Sequence, residues 1–356
     1  MHAQYPIPLP FPFQRPSRQP AATPGRARPL ALSLGLSLLA ALGAPAAHAV
    51  TTTSEASAWE QADYSTPSLL DGVASLVTNT GTGCSGSLLA GGGWVLTAAH
   101  CVTDDSGAID VASLSLNFAS GTVSASVSSA SQIIVASGWT GAVSDGSDLA
   151  LIQLDTAITT IAGYTVYDGT LSAGQDVLLA GYGYTGSGDS GYTSGTFGTL
   201  HWGYNEYDSS YAGSTTGYNL YDFDDGTQTA NVLGRRSSST GLGADEALIA
   251  PGDSGGGSFV EVDGQLYLVG VHSFGESASG DVLSGVNSSF GEIAGDSVVT
   301  SASVQAWIAE VTAVPEAGTA ALWLAGLGLL GGLGRQRRHT AATPPRPTPS
   351  RPEHWR

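Results

Sequence analysis

The sequence predicts an all-β protein, either a sandwich or a barrel, on three observations. Between residues 68 and 308, short runs rich in Val, Leu, Ile and Tyr alternate with Gly, Ser, Asp and Asn, a spacing typical of strands joined by turns. A helical period is convincing only near the end of this region, where Ser303 can cap a helix through Val304, Trp307, Ile308 and Val311. The composition, 42% hydrophobic and 12% charged, suits a globular chain.

The strand candidates follow in chain order. The clearest are the runs at residues 73–77, 94–97, 149–154, 177–179, 266–271 and 298–300. Residues 182–238 are dense in Gly, Ser, Tyr and Asp, so we expect long loops there as well as strands.

An apolar run follows two arginines near the start of the chain. Residues 29–49, PLALSLGLSLLAALGAPAAHA, come after Arg26 and Arg28 and end in the small residues Ala47 and Ala49. A basic start, an apolar core and small residues before the cleavage point are typical of a secretory signal. We therefore expect residues 1–49 to be a leader with a signal peptide that is cleaved after Ala49. A membrane span is the competing interpretation.

The distribution of charge argues against nucleic acid as a partner. All twelve basic residues are arginines, and residues 50–314 contain only Arg235 and Arg236 against 28 acidic residues, a formal charge of −26. So acidic a surface repels phosphates and favours solubility outside the cell. Cation binding is the alternative, but the only local candidate, residues 222–225, matches no calcium loop in its spacing.

The two cysteines, Cys84 and Cys101, are expected to form a disulfide, because an exported chain meets an oxidising compartment. The bridge would close a loop of about 18 residues and stabilise the fold by roughly 3 kcal/mol. Two unrelated buried thiols are the alternative.

The C-terminal end changes character at residue 314. The 18 uncharged residues 317–334 precede Arg335, Arg337 and Arg338, which predicts a membrane span with a basic cytoplasmic end rather than a buried helix. With the VPEA segment at 314–317, this end resembles the PEP-CTERM sorting signal of Gram-negative bacteria, which an exosortase processes. Ala317 replaces the second proline of that signal, and a Pro-rich tail, residues 339–356, follows the arginines.

One serine, Ser254, lies among glycines and next to a carboxylate, in the segment PGDSGGGSF at residues 251–259. A flexible Gly/Ser loop is one interpretation. The other is a nucleophile whose backbone must approach a reacting carbonyl, and such a serine needs a base and a third group that orients the base. His100, which ends the segment WVLTAAH, and Asp148, which begins the segment DLALIQL, are the candidates.

Three segments resemble the catalytic signatures of the chymotrypsin or trypsin-like serine protease family. They are LTAAHC at 96–101, DLAL at 148–151 and GDSGG at 252–256, in that family's order of His, Asp and Ser. The likeness covers about residues 72–311. It implies two antiparallel six-stranded β-barrels with a C-terminal helix, the first barrel supplying His100 and Asp148 and the second Ser254.

Three further segments are similar to parts of that family. Residues 84–89, CSGSLL, resemble the strand whose cysteine bridges to the one after the catalytic histidine. Residues 270–275, GVHSFG, resemble the strand that lines the substrate cleft, and residues 305–308, QAWI, the closing helix. His272 is expected to pack inside its strand, and His201 to lie on the surface.

The resemblance implies a role for each catalytic residue. Ser254 would attack the scissile carbonyl, His100 would act as base and then as acid, and Asp148 would orient the imidazole. The backbone N–H groups of Gly252 and Ser254 would form the oxyanion hole, where one lost donor raises the barrier by about 3 kcal/mol. Protein or peptide substrates are implied, with no cofactor and no metal.

The activating end of the family is missing. In animal members, cleavage frees an Ile-Val-Gly-Gly end whose ammonium pairs with the carboxylate before the catalytic serine, which here is Asp253. The corresponding place, residues 70–75, has the sequence LDGVAS. Asp253 therefore needs another partner, because a buried unpaired carboxylate is costly. Backbone donors or Arg235 or Arg236 are candidates, unless the arginines lie in a solvated loop.

The specificity pocket also departs from the trypsin pattern. Leu248 lies six residues before Ser254, where trypsins have an aspartate. The residues expected to line the pocket are Leu248, Ser273, Phe274 and Gly275. They favour small or apolar substrate side chains, although Asp245 and Glu246 keep a basic preference open.

These features predict an exported serine endopeptidase in the periplasm, at the cell surface or outside the cell. We expect five segments: the leader 1–49, an N-terminal extension 50–71, the protease domain 72–311, the membrane-spanning sorting segment 314–338 and a disordered tail 339–356. A catalytically silent surface or matrix-binding protein on the same fold is the alternative, and a structural Gly/Ser-rich envelope protein is a third possibility.

Overall fold

The computed structural model describes seven stretches of the chain. They are residues 50–53, 69–172, 174–211, 217–233, 240–277, 285–313 and 346. The expected leader, Arg235, Arg236 and the apolar run 317–334 lie outside these stretches. Within them, no helix has both the length and the apolar character that a bilayer crossing requires.

Nineteen strands and one α-helix follow one another along the described residues. The strands are β1 (Val50–Thr52), β2 (Val73–Thr78), β3 (Gly83–Leu88), β4 (Trp94–Thr97), β5 (Leu114–Phe118), β6 (Val123–Val127), β7 (Ile133–Val135), β8 (Ala150–Gln153), β9 (Thr165–Val166), β10 (Gln175–Gly181), β11 (Thr185–Ser187), β12 (Gly191–Thr193), β13 (His201–Tyr207), β14 (Ser209–Tyr211), β15 (Tyr218–Asp222), β16 (Ala247–Leu248), β17 (Gly257–Val262), β18 (Gln265–Glu276) and β19 (Ile293–Val298). The helix is α1 (Ala302–Thr312).

The first large sheet has seven antiparallel strands in the order β6-β5-β2-β3-β4-β8-β7. Strand β5 shows why these residues form it. Leu114, Leu116 and Phe118 are buried, whereas Ser115 is exposed and Asn117 partly exposed, the period-two pattern of a strand with one face on a core. This sheet carries the segments that contain His100 and Asp148.

The second large sheet has eight strands in the described part of the chain. Its order is β13-β10-β17-β18-β19-β15-β14, and β9 pairs in parallel with β18. Leu178, Phe259 and Leu268 from this sheet join the same buried cluster as Leu76 and Leu96 of the first sheet. The two curled sheets therefore share a core at the junction where β17 and β18 approach the first sheet.

A small third sheet has the order β12-β11-β1-β16. Strand β1 lies in its interior, parallel to β11 and antiparallel to β16. Val50, Thr51 and Thr52 are at most 3% exposed. The first residues of the expected N-terminal extension are thus part of the fold.

The predicted all-β class with one C-terminal helix is confirmed as two curled antiparallel sheets followed by α1. The number of strands per sheet differs from the expected six, since the short strands β7 and β14 extend the sheets at their edges and β9 pairs with part of β18. The expected disulfide between Cys84 and Cys101 is present, with an S–S distance of 2.04 Å.

Two predicted boundaries are wrong. The helix is capped by Ser301 rather than Ser303: Ser301 has extended backbone angles, and its Oγ accepts a hydrogen bond from Val304 N at 3.4 Å, the geometry of an N-cap. The last predicted strand, residues 298–300, lies mostly beyond β19, which ends at Val298. Apolar runs did not predict β19, because its sequence, IAGDSV, contains polar residues and a glycine.

Candidate active site

His100 lies in a short 3₁₀ turn, Ala99–Cys101, that follows strand β4. Ala98, which precedes the turn, and Ala99, which begins it, are fully buried, whereas the imidazole is 32% exposed. Its Nδ1 is 2.8 Å from Asp148 Oδ2, and its backbone N–H donates to Asp148 Oδ1 at 2.9 Å. Two hydrogen bonds therefore fix both the ring and the turn against one carboxylate.

Asp148 lies just before strand β8 and has no exposed surface. Besides the two bonds from His100, its Oδ2 accepts a hydrogen bond from the Ser273 hydroxyl on β18. Its backbone carbonyl accepts from Ser297 Oγ at 3.1 Å. Because Ser273 and Ser297 belong to the second sheet, Asp148 is held from both halves of the fold.

His100 and Asp148 shift each other's pKa in opposite directions. Burial alone would raise the pKa of Asp148, but the charge of His100 and the hydrogen bonds from His100 and Ser273 lower it below its ordinary value. Burial alone would lower the pKa of His100, but the charge and hydrogen bond of Asp148 raise it above its ordinary value. The pair combines an ionised carboxylate with an imidazole that can take up a proton near neutral pH.

Ser254 lies on the tight turn between β16 and β17, whose conformation depends on glycine. Gly255 has φ +83°, and a Cβ there would lie 2.0 Å from Thr97 Oγ1. Gly252 has φ +96°, and a Cβ there would lie 2.8 Å from the ring of Phe197. Backbone angles and close packing thus require glycine at two of the four positions. This requirement does not depend on the approach of a substrate.

The bridged sulfur of Cys101 lies next to both His100 and Ser254. Cys101 Sγ is 3.9 Å from His100 Nε2 and 3.6 Å from the carbonyl oxygen of Ser254. A disulfide sulfur carries no hydrogen, so both are packing contacts. Ser254 O also accepts from Ser85 N at 2.8 Å, which ties the serine turn to strand β3 of the first sheet.

The structure thus brings His100, Asp148 and the backbone of Ser254 into one site. A hydrogen bond between Ser254 Oγ and His100 is not among those that the described residues make. Such bonds are often long before a substrate binds. Within the same described residues, the backbone N–H groups of Gly252 and Ser254 donate to no protein acceptor, so both are free to bind an oxygen.

Asp253, next to Ser254, is fully buried. Its Oδ1 accepts from Gly183 N at 2.7 Å, and its Oδ2 from Ala250 N at 2.9 Å and from Val50 N at 3.3 Å. The first two contacts are the backbone donors anticipated for this carboxylate. The contact with Val50 could not be predicted, because nothing in the sequence shows that residues 50–52 pair with β16.

The four residues expected to line the specificity pocket have different surroundings in the structure. Leu248 is only 1% exposed and belongs to the core of the second sheet. The Ser273 hydroxyl is bonded to Asp148. Phe274 packs edge-on against Tyr218, with ring centroids 5.0 Å apart, and a Cβ on Gly275 would lie 3.0 Å from Val286 Cγ1.

A second imidazole–carboxylate pair lies in the interior, next to Ser273. His272 Nδ1 is 2.8 Å from Asp296 Oδ1, and both side chains are fully buried. Asp296 also accepts from the hydroxyls of Tyr207 at 2.7 Å, Tyr221 at 3.0 Å and Ser258. Burial would raise the pKa of Asp296, but His272 and the hydroxyl donors lower it below its ordinary value. Sequence patterns gave no sign of this network.

One group of side chains has the spacing of metal ligands. The ligand atoms of Cys84, His100 and Cys101 lie within 4.8 Å of one another. Both sulfurs are part of the disulfide, so neither is the thiolate that a metal would bind. We therefore interpret Cys84 and Cys101 as a structural disulfide and His100 as the partner of Asp148, not as metal ligands.

Comparisons with known proteins identify the family. No curated protein matches the sequence. Among solved structures, the chain is similar to one described as "Structure of Glu endopeptidase in complex with MPD", with 20% sequence identity, a TM-score of 0.47, and coverage of 75% of this chain and 98% of that one. Residues 313–338 match the model of the PEP-CTERM protein-sorting motif. Residues 70–291, more than half of the chain, match the Trypsin family model, and the chain therefore belongs to the trypsin family.

Proposed function

We propose that the protein is an exported serine endopeptidase that hydrolyses peptide bonds through His100, Asp148 and Ser254. The observation that carries the proposal is the pair of hydrogen bonds from His100 to the buried Asp148, next to the serine turn. A buried carboxylate that orients a partly exposed imidazole is the arrangement a serine nucleophile requires.

In the proposed reaction, Ser254 Oγ attacks the carbonyl carbon of the substrate while His100 Nε2 takes the hydroxyl proton. Asp148 holds the other ring nitrogen as N–H and stabilises the imidazolium. The proton then passes to the leaving amine as the peptide C–N bond breaks, which leaves an acyl group on Ser254. Water, deprotonated by the same imidazole, releases the acid and regenerates the serine.

The N–H groups of Gly252 and Ser254 form the proposed oxyanion hole. They are the donors left unused in the serine turn, and fixed donors aimed at a developing negative charge lower the barrier. The turn is held by Ser85, whose Oγ donates to the carbonyl of Gly252 at 2.9 Å. The strand that carries Cys84 therefore supports the oxyanion site as well as the imidazole.

For specificity we propose a pocket that favours small or apolar side chains, with Leu248, Ser273, Phe274 and Gly275 in its wall. The Glu246 carboxylate is 2% exposed and accepts a hydrogen bond from Leu242 N at 2.6 Å, so it is an unsuitable partner for a basic substrate side chain. At Ser273 the backbone is the part left for the substrate, because its hydroxyl is bound to Asp148.

The sorting motif marks the protein as exported and associated with the cell envelope. We further propose that residues 1–49 are removed as a leader, that an exosortase processes the C-terminal segment, and that the apolar run 317–334 enters the membrane before that step. The supporting features are the arginines and apolar runs of the two ends.

A fluorophosphonate probe tests the catalytic proposal. We expect one covalent adduct at Ser254 in the chain matured at Ala49, located by peptide mass spectrometry, and none after His100→Ala, because the hydroxyl then has no base. Glu310→Gln, on an exposed position of α1, is the control and should label like the parent. A folded, matured chain that takes no label would favour the catalytically silent binding protein.

A further inference from the structure

We propose that Ser85, on strand β3 of the first sheet, is a positioning residue of the active site: its hydroxyl fixes the orientation in which Gly252 presents its backbone N–H to the oxyanion. The inference rests on the proposed proteolytic function and adds a residue to it. Ser85 is 0% exposed, so its hydroxyl acts on a substrate only through Gly252.

The conformation of Gly252 is the reason that the turn needs to be held. Gly252 has φ +96°, and it has no side chain whose packing could fix the two peptide groups beside it. A rotation of the peptide group between Pro251 and Gly252 would replace the N–H in the oxyanion hole by a carbonyl oxygen. Such an oxygen repels a developing negative charge, so the hole functions only while these peptide groups keep their orientation.

Hydrogen bonds hold the peptide groups on both sides of Gly252. The Pro251 carbonyl accepts from Tyr184 N at 2.8 Å. Because the N–H and C=O of a trans peptide point in opposite directions, this bond turns the Gly252 N–H away from Tyr184. The carbonyl of Gly252 itself accepts from Ser85 Oγ at 2.9 Å. Of these two bonds, only the one from Ser85 depends on the type of side chain.

The Ser85 hydroxyl is committed to this contact. Its Oγ accepts a hydrogen bond from Tyr182 N at 2.9 Å. A serine hydroxyl carries a single hydrogen, and with the Tyr182 N–H on one lone pair that hydrogen is directed to the Gly252 carbonyl. A chain of two hydrogen bonds therefore runs from Tyr182 through Ser85 to the serine turn.

The backbone of Ser85 is also held. Its N–H donates to Ser254 O at 2.8 Å, and its carbonyl accepts from Thr97 Oγ1 at 2.7 Å. A Cβ on Gly255 would lie 2.4 Å from the same carbonyl, so the strand and the turn are in close contact. The position of the hydroxyl relative to Ser254 is therefore set by strand β3.

Ser85 also relates the two halves of the site to each other. His100 follows a strand of the first sheet, whereas the oxyanion donors lie on the turn before β17 in the second sheet. Ser85 follows Cys84, whose disulfide partner Cys101 is next in sequence to His100. One strand thus positions both the imidazole and Gly252, and a catalytic arrangement of this kind has to be held to within about 0.5 Å.

Removal of the hydroxyl is expected to slow the reaction. In Ser85→Ala the Gly252 carbonyl loses its donor and the Tyr182 N–H loses its acceptor, so the turn can rearrange toward other partners. Deleting one oxyanion donor lowers kcat about 10²–10³-fold in comparable sites, and a displaced donor should cost less. We expect fluorophosphonate labelling of Ser254, in the chain matured at Ala49, to slow about 10- to 100-fold, because the phosphoryl oxygen of the probe occupies the same hole.

Strand β3 offers a matched control. Ser87, on the same strand, is also 0% exposed, and within the described part of the chain its hydroxyl makes no hydrogen bond. Ser87→Ala should label within about twofold of the parent, because no oxyanion donor moves. Ser85→Thr should label within about fivefold of the parent, because its hydroxyl can make the same two bonds.

The pH dependence of labelling separates a positioning role from a disturbance of the base. His100 must be neutral to accept the Ser254 proton, so the labelling rate rises with pH through the pKa of His100. The side-chain hydrogen bonds of Ser85 go to Tyr182 and Gly252 rather than to the imidazole. We therefore expect the midpoint of this rise, measured from pH 5 to 9, to be the same in Ser85→Ala and in the parent.

The outcomes separate the inference from the proposed function. Circular dichroism establishes that each variant folds, and the rate constant describes each folded molecule, so a lower yield does not change it. The inference is wrong if Ser85→Ala labels as fast as Ser87→Ala, if a shifted midpoint accounts for the slower labelling, or if Ser85→Thr is as slow as Ser85→Ala. If the parent takes no label at any pH, the proposed proteolytic function fails instead.

Discussion

Asp148 is completely buried, and every side-chain hydrogen bond that it accepts comes from a residue of the candidate site. The sequence signature predicted its partnership with His100 and indicated the segment that contains Ser273. The sequence analysis expected Ser273 to line the substrate pocket. It could not predict the hydrogen bond to Asp148, because a serine before Phe-Gly gives no sign of where its hydroxyl points. That orientation depends on the register of β18 against β19, which shifts between His272 and Phe274.

Replacing Asp148 by Asn tests the electrostatic role of the carboxylate. Asp148→Asn removes the charge and the hydrogen bond that raise the pKa of His100 and leaves burial, which lowers it. We expect kcat to fall about 10⁴-fold, and the acidic limb of the pH–rate profile to move to lower pH, since the base is active only when neutral. Peptide hydrolysis measured from pH 5 to 9 gives both quantities.

The control for this substitution is Asp155→Asn, at an exposed carboxylate just after β8. It should leave kcat within about twofold, as surface substitutions usually do. An acidic limb that stays in place in Asp148→Asn would contradict the role assigned to the carboxylate.

At the scale of elements, apolar runs predicted the strands that face the core and missed those held by polar groups. The runs at 73–77 and 94–97 coincide with β2 and β4. Strand β19, with the sequence IAGDSV, is instead stabilised by Asp296, whose partners come from β13, β15, β17 and β18. Long-range pairing of this kind has no local period, so single-sequence reasoning does not find it.

The Asp296 network should be a major source of stability in the second sheet. Asp296→Asn leaves His272 and three hydroxyl donors around a neutral amide, and removing a buried carboxylate from a network that depends on it costs about 3–5 kcal/mol. Urea unfolding followed by tryptophan fluorescence measures the loss. Asp105→Asn, at an exposed turn, is the matched control, for which we expect less than about 0.5 kcal/mol. Equal stability of the two variants would mean that the network contributes nothing net.

At the scale of the whole molecule, the fold brings several of the many acidic residues of the sequence close together. Burial, with the charges of Asp222 and Asp225 among others, raises the pKa of Asp224 to about 7. Burial and the charges of Asp224 and Asp222 raise the pKa of Glu246 to about 8, although backbone donors oppose the shift. The sequence suggested only that residues 222–225 are acidic. The fold adds Glu246 from a distant segment.

These shifts predict how stability depends on pH. Because the folded-state pKa of Glu246 lies above that of the unfolded chain, the native state binds more protons between the two values, and stability falls as pH rises through that range. We expect the free energy of unfolding to decrease by a few kcal/mol from about pH 5 to pH 8. Glu246→Gln should flatten this decline, whereas Glu310→Gln should not, as chemical denaturation at each pH will show. If the free energy of unfolding declines equally in Glu246→Gln, the decline comes from general charge repulsion and not from Glu246.

The disulfide that contacts the His100 imidazole links the packing of the site to the redox state of its surroundings. Cys101 Sγ contacts His100 and the Ser254 backbone, so the Cys84–Cys101 bond contributes to the packing of the site. Cytosolic reductants oppose the formation of this bond. Under the proposed function, formation of the disulfide is therefore a maturation step that follows export. Peptide hydrolysis, on the same proposal, would develop fully after the chain has left the reducing cytosol.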